Sequence, residues 1–245
     1  MPVFLKEHVW SDIEPLLNRE TLIVLPLGAA LKEHGHHLLL SNDETLSQAL
    51  AARIQSRDNV VITPTIAFFY YPAFLSYPGS TSVAPDTSMN YLWDICRSLA
   101  LHGPRRFYVL NTGLSTRVPL TGLQSCMQRD GLLLRWTDIE QADASLPKDL
   151  LQQKRGSHAD EAETSMMLYL APDSVDMPRA VRDEGEHPRL SRSFSESGVF
   201  GDPTRATREK GRVITQAWLR YIQRDIEKLR LLTLPPRRVS LASEA

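Results

Sequence analysis

The stretch "TLIVLPLGAALKEHGHHLLLSND" (Thr21–Asp43) decides the fold. Its first third is a short apolar run ended by Pro and Gly, which reads as a strand buried on both faces. Strands of that kind belong to parallel sheets covered by helices on both sides. The chain then turns polar and places Lys32, Glu33, His34, His36, His37 and Asp43 directly after the strand. In an open parallel sheet, chemistry gathers at the carboxyl ends of strands. Imidazoles and carboxylates so placed look like the beginning of a metal site. The lysine among them is a poor ligand, so the stretch raises the question of whether it holds a metal.

Outward from this point, strand and helix signals alternate. "NVVITP" (59–64), "RRFYVLNTG" (105–113) and "LLLRWTDI" (132–139) read as further strands. Helical patterns cover 44–56, 84–103, 118–131, 159–170 and 207–232. Asn42 or Asp43 is expected to cap the first and Asp86 the second, and Gly103 to stop the second. In the last, Val213, Ile214, Ala217, Trp218, Ile222, Ile226 and Leu229 recur at helical spacing. The pattern predicts an α/β fold of three layers, α/β/α, around a mainly parallel central sheet. No repeat or linker interrupts it, so a single domain over 1–245 is expected, with 231–245 a flexible tail. Trp10, Trp93, Trp136 and Trp218 are expected in the core. Asp202 is expected to form a turn. The run Phe68, Phe69, Tyr70, Tyr71 is expected at a subunit contact rather than a pocket mouth.

The chain has 245 residues with a net charge of -1, which gives no basic field for nucleic acid or an anionic membrane. No apolar run approaches a membrane span, and the N-terminus carries charges too early for a signal peptide. Cys96 and Cys126 stand far apart in no metal-like spacing, as expected of reduced thiols in a cytoplasmic protein.

Five segments, taken in order, resemble the creatininase family. "LPLGAALKEHGHHLLLSND" resembles its Glu-Gln-His-Gly motif and the aspartate that follows. "YPGSTSV" is similar to its Pro-Gly-Thr-Thr-Ser element, and "SLALHGPRRFYVLNTG" to the approach to its Asn-Gly-His turn. "SHADEAETSMML" resembles its His-Ala-Gly helix start, and "GVFGDPTRATREKG" its late Gly-Asp-Pro element. The resemblance implies a hydrolase of C–N bonds in amides or cyclic amides, working with two divalent ions and assembled as a ring-like homo-oligomer.

Carried over residue by residue, the family's histidine ligand falls on His34 and its bridging aspartate on Asp43. Its glutamate ligand falls on Lys32. The histidine and glutamate ligands of the later turn fall on Gly113 and Ser115. Its catalytic histidine falls on His158, and Glu163 matches the glutamate of the helix start. A lysine ammonium beside two dications would be repelled strongly in a cleft of low dielectric, so an intact two-metal site is not expected. Two arrangements remain. One divalent ion (Zn, Mn or Fe) could rest on His34, Asp43 and Glu33, completed by His158 or His37. Alternatively, Lys32 could replace the lost cation and neutralise Asp43 with no metal. The catalytic set is then His158, Lys32 and Glu163, with His158 passing a proton to the leaving nitrogen. His36 and His37 are expected to be structural or to line the pocket. Two functions follow: an amidohydrolase acting on a small-molecule amide, or an inactive family member that binds or scaffolds a hetero-partner.

Overall fold

The computed structural model describes residues 2–55, 59–185 and 195–236. Five parallel strands form one sheet in the order β1-β3-β2-β4-β5. They are β1 (Val3–Phe4), β2 (Leu22–Leu27), β3 (Val60–Ile62), β4 (Arg106–Asn111) and β5 (Leu133–Trp136). The helices are α1 (Trp10–Ile13), α2 (Asn42–Ala51), α3 (Pro85–Ala100), α4 (Arg117–Arg129), α5 (Ile139–Asp143), α6 (Glu161–Leu170) and α7 (Arg208–Leu231).

β2 is buried at every position, and its side chains alternate between two cores, as a strand's period of two requires. Leu22 and Val24 pack with Leu46 and Leu50 of α2, Met166 and Met167 of α6, and Ile214, Trp218 and Ile222 of α7. Ile23, Leu25 and Leu27 pack with Leu92 and Cys96 of α3 and Leu120 and Leu123 of α4. This is the three-layer α/β/α arrangement expected from the sequence. From β2 the chain moves to β3 on one side, then crosses to β4 on the other. The crevice at the carboxyl ends of β2 and β4 is therefore the topological switch point, where an open sheet leaves room for a ligand. Among the described residues, no helix is long and apolar enough to cross a membrane.

Several expectations change. β1 pairs only Val3 and Phe4 with β3, too short a run to carry a pattern. Neither Asn42 nor Asp43 caps α2; both lie inside its first turn, with Ser41 at the cap. Asp86 likewise sits inside α3, behind Ala84 and Pro85. The side chains of Asn42 and Asp43 are taken up in the site instead. Trp10 is not core but 77% exposed, while Trp218 is buried. The aromatic run divides: Phe69 and Tyr71 are buried and Phe68 is exposed. Asp202 does form its turn, accepting from Thr204 Oγ1 and from Arg205 Nε. The expected tail is held at its start, where Arg106 and Arg105 donate to the carbonyls of Leu232 and Pro235. Residues 237–245 lie outside the described residues.

Candidate active site

The segment after β2 delivers Lys32, Glu33 and His34, and the first turn of α2 delivers Asp43. Gly28 makes this possible: a Cβ there would stand 2.1 Å from the Asp43 carbonyl oxygen, so only glycine lets β2 and α2 approach so closely. The α6 start brings His158 and Glu163. Asp160 caps that helix by accepting from the amides of Ala162 and Glu163. Ala159 takes a positive φ of 48°, and its amide donates to Glu163 Oε2. Asn42 donates to the other oxygen, Oε1.

Lys32, Glu33, His34, His37, Asp43 and His158 are all buried. Lys32 Nζ lies 2.6 Å from Asp43 Oδ2 and 5.4 Å from the centroid of Phe74. His34 Nδ1 is 2.8 Å from the Lys32 carbonyl oxygen. A carbonyl only accepts, so Nδ1 carries a proton and donates it. Nε2 then faces Asp43 Oδ1 at 3.1 Å and Glu163 Oε1 at 3.4 Å. Burial opposes charge on His34, yet Asp43 and Glu163 outweigh both burial and Lys32 and lift its pKa to about 9. Burial also opposes charge on Asp43, but Lys32 and His34 hold it below the usual carboxylate range. Glu163 is likewise lowered against burial by His34, His158 and Lys32. Without a metal, two cations (Lys32 and His34) therefore face two anions (Asp43 and Glu163) in a closed cluster.

His158 stacks on Phe74 with centroids 3.9 Å apart. Its Nε2 donates to the Glu33 carbonyl at 2.7 Å, and its Nδ1 lies 3.9 Å from Glu163 Oε2. Glu33 does not reach Asp43's side of the site. One carboxylate oxygen accepts from the Gly35 amide, and the other lies 3.2 Å from His158 Nε2. Gly198 leaves room for it; a Cβ at that position would meet Glu33 Oε1 at 1.9 Å. His37 is bonded to Thr164 Oγ1, and burial pushes it down to about 4, so it is neutral. His36 is exposed. Among the described residues, His34, His158 and Glu163 present ligand atoms within 4.8 Å of one another. The sequence matched Glu163 to a motif but gave no sign that it meets His34.

A cavity of about 340 Å³ opens over this cluster. Gly113, Leu114 and Ser115 form part of its wall, after β4. A Cβ on Gly113 would come within 3.3 Å of the Tyr71 ring. Tyr71 lines the same cavity, and among the described residues its hydroxyl has no hydrogen-bond partner.

A switch-point cavity above buried imidazoles and carboxylates defines a three-layer α/β protein with the ionisable groups of a hydrolytic site. The chain belongs to the creatininase family: residues 6–226 match the family described as creatinine amidohydrolase. Creatinine amidohydrolase of Pseudomonas putida is 28% identical over 252 aligned positions, covering 90% of this chain and 94% of that protein. A mycofactocin precursor peptide peptidase of Mycolicibacterium smegmatis is 24% identical over 205 positions, covering 78% of each chain. A solved creatininase with Mn superimposes with a TM-score of 0.75 at 23% identity, over 95% of this chain and all of that one.

Proposed function

We propose that the protein is a divergent amidohydrolase that cleaves a C–N bond of an amide or cyclic amide with one divalent metal. Family membership supports hydrolysis, since relatives named as a creatinine amidohydrolase and a peptide peptidase both cut C–N bonds. The observation that carries the single metal is the spacing around His34 Nε2, 3.1 Å to Asp43 Oδ1 and 3.4 Å to Glu163 Oε1. Bonds of about 2.0–2.1 Å to a tetrahedral Zn ion separate its ligand atoms by about 3.3 Å, so each of these two spacings suits a pair of ligands to one ion of Zn, Mn or Fe. The donation from His34 Nδ1 to the Lys32 carbonyl fixes the ring with Nε2 toward them, as metal-ligating histidines are usually held.

A second ion does not fit. The Lys32 ammonium already stands against the other Asp43 oxygen, and Gly113 and Ser115 offer no imidazole or carboxylate. Glu33, expected as a ligand, faces His158; Glu163 takes its place in this proposal. A bound ion would supply Lewis acidity and a water of lowered pKa. The chain's own groups do the rest. Lys32 balances Asp43 and keeps its carboxylate in place, a positioning role. His158 has Nε2 committed to the Glu33 carbonyl, so Nδ1 is the ring atom left to move a proton to the leaving nitrogen. Phe74 covers that ring and limits water.

The inactive alternative, a binding or scaffolding subunit with a hetero-partner, draws on the same Lys32–Asp43 pair, which neutralises the site without a metal. A soluble cytoplasmic homo-oligomer remains part of the proposal, and exposed Phe68 and Leu75 suit a subunit contact. The test is a panel of creatinine, hydantoin and short peptide amides, assayed by mass spectrometry for the ring-opened acid or the released amine, with and without a chelator. Turnover that vanishes with chelator and in His158→Ala supports the hydrolase. A metal-loaded protein that turns over none of them favours the binding subunit.

A further inference from the structure

The cavity wall holds a carboxylate that the chemistry above does not use. Asp143 ends α5, the short helix that follows β5. Its Oδ1 accepts from Trp218 Nε1 at 2.9 Å, and both residues line the cavity. As a residue Asp143 is exposed, but its carboxyl tip is turned onto the indole. There, loss of water pushes it up to about 6, against the indole bond, with Asp160 and Glu163 adding to the rise. At neutral pH it is therefore charged. Among the described residues no cation pairs with it. Trp218 needs only an acceptor, and an amide oxygen would serve equally, so the indole does not explain a charge here.

A second observation comes from Tyr71, which lines the same cavity. The residue is 3% exposed, and among the described residues its hydroxyl is unpartnered. A buried hydroxyl without a partner is costly, and such groups in native proteins call for one. Burial and Asp43 push this phenol well above 10, so it stays a donor. The cavity thus offers a carboxylate to a ligand's cation, with an unsatisfied buried phenol in the same lining. Tyr71 follows β3 and Asp143 ends α5, so the two stand on different walls of one cavity.

We infer that Asp143 selects the substrate: the cavity takes an amide that also carries a basic group, a guanidinium or ammonium. The inference rests on the amidohydrolase reading of this cavity but concerns recognition alone. Glu140, also on the wall, pairs with Arg117 at 3.6 Å and is the weaker anchor.

The test uses two probes of similar length, 6-guanidinohexanamide and neutral octanamide. Their binding to the metal-loaded protein is measured by calorimetry. Wild type is expected to bind the guanidino amide at least tenfold more tightly. Asp143→Asn keeps an acceptor for Trp218 and should bring that ratio to within about twofold, with Tm unchanged as the control on folding. Equal binding of the two probes, no binding of either, or a preference that survives in Asp143→Asn would overturn it. Selective binding without hydrolysis would leave this inference standing and count against the hydrolase.

Discussion

Lys32→Met tests the ion pair at the centre of the site. The side chains of Lys32 and Asp43 are only 9% and 1% exposed, with 2.6 Å between Nζ and Oδ2. At an effective dielectric constant of about 20, that separation corresponds to roughly 6 kcal/mol of attraction, most of it offset by the cost of burying both charges. The measurable quantity is the loss when one partner is removed, about 3–5 kcal/mol for a buried pair. His34 stays beside Asp43 in the variant, so the lower end applies, about 3 kcal/mol. For a chain of this size that corresponds to a Tm lower by about 6–12 °C. Methionine keeps most of the apolar stem against Phe74, so the change reads charge more than packing. The assay is urea unfolding at pH 7 in chelator, followed by circular dichroism. Asp43→Asn should recover much of the loss when combined with Lys32→Met, because the stranded carboxylate is gone. A loss below about 1 kcal/mol, or a double variant no better than the single, would refute the reasoning, since a broken buried pair is far costlier.

The remaining predictions concern pH, packing and metal. In chelator, the raised His34 pKa of about 9 contributes stability that is fully present below pH 6.5 and is lost as pH rises through 9. The loss, about 3 kcal/mol, should be visible in unfolding midpoints and absent in His34→Gln. The lowered Asp43 pKa works in the opposite sense: its contribution is present above about pH 4 and fades as acid protonates it in the native state. Gly28→Ala pushes a methyl into the Asp43 backbone and should cost about 1–3 kcal/mol in unfolding experiments; a neutral result would mean that β2 and α2 can separate freely. Lys32→Glu restores one family ligand but should not produce a second metal, because Gly113 and Ser115 still have none. Two ions bound per chain in that variant would show that the turn after β4 has been aligned wrongly.

Much of this architecture was legible in local pattern. β2, β3, β4 and β5 announced themselves as apolar runs with Pro or Gly at their ends, and α7 as a long amphipathic repeat capped by Thr207. The two-residue β1 and the single turn of α5 were not, because neither is long enough to show a period. The caps misled for a physical reason. Asn42 and Asp43 are good cap residues in isolation, but their side chains are drawn to Glu163, Lys32 and His34. The Lys32–Asp43 contact was one of two arrangements that the family resemblance and the charges together implied, since a buried aspartate stripped of its metal needs a cation. Sequence does not say which way neighbouring side chains turn: Lys32 turns to Asp43, while Glu33 turns to the Gly35 amide and His158. The partnership of Glu163 with His34, and the roles suggested for Tyr71 and Asp143, depend on α6, β4 and α5 meeting at one strand end. No local pattern carries that.

The central claim is that Lys32 has taken one cation position of the family site while His34 and Asp43, joined by Glu163, hold the other. Elemental analysis of the purified protein, dialysed against Zn or Mn and then against buffer, addresses it directly. The account predicts about one ion per chain, lost in His34→Ala and in Glu163→Ala. Two ions per chain, none, or one that survives both substitutions would contradict it.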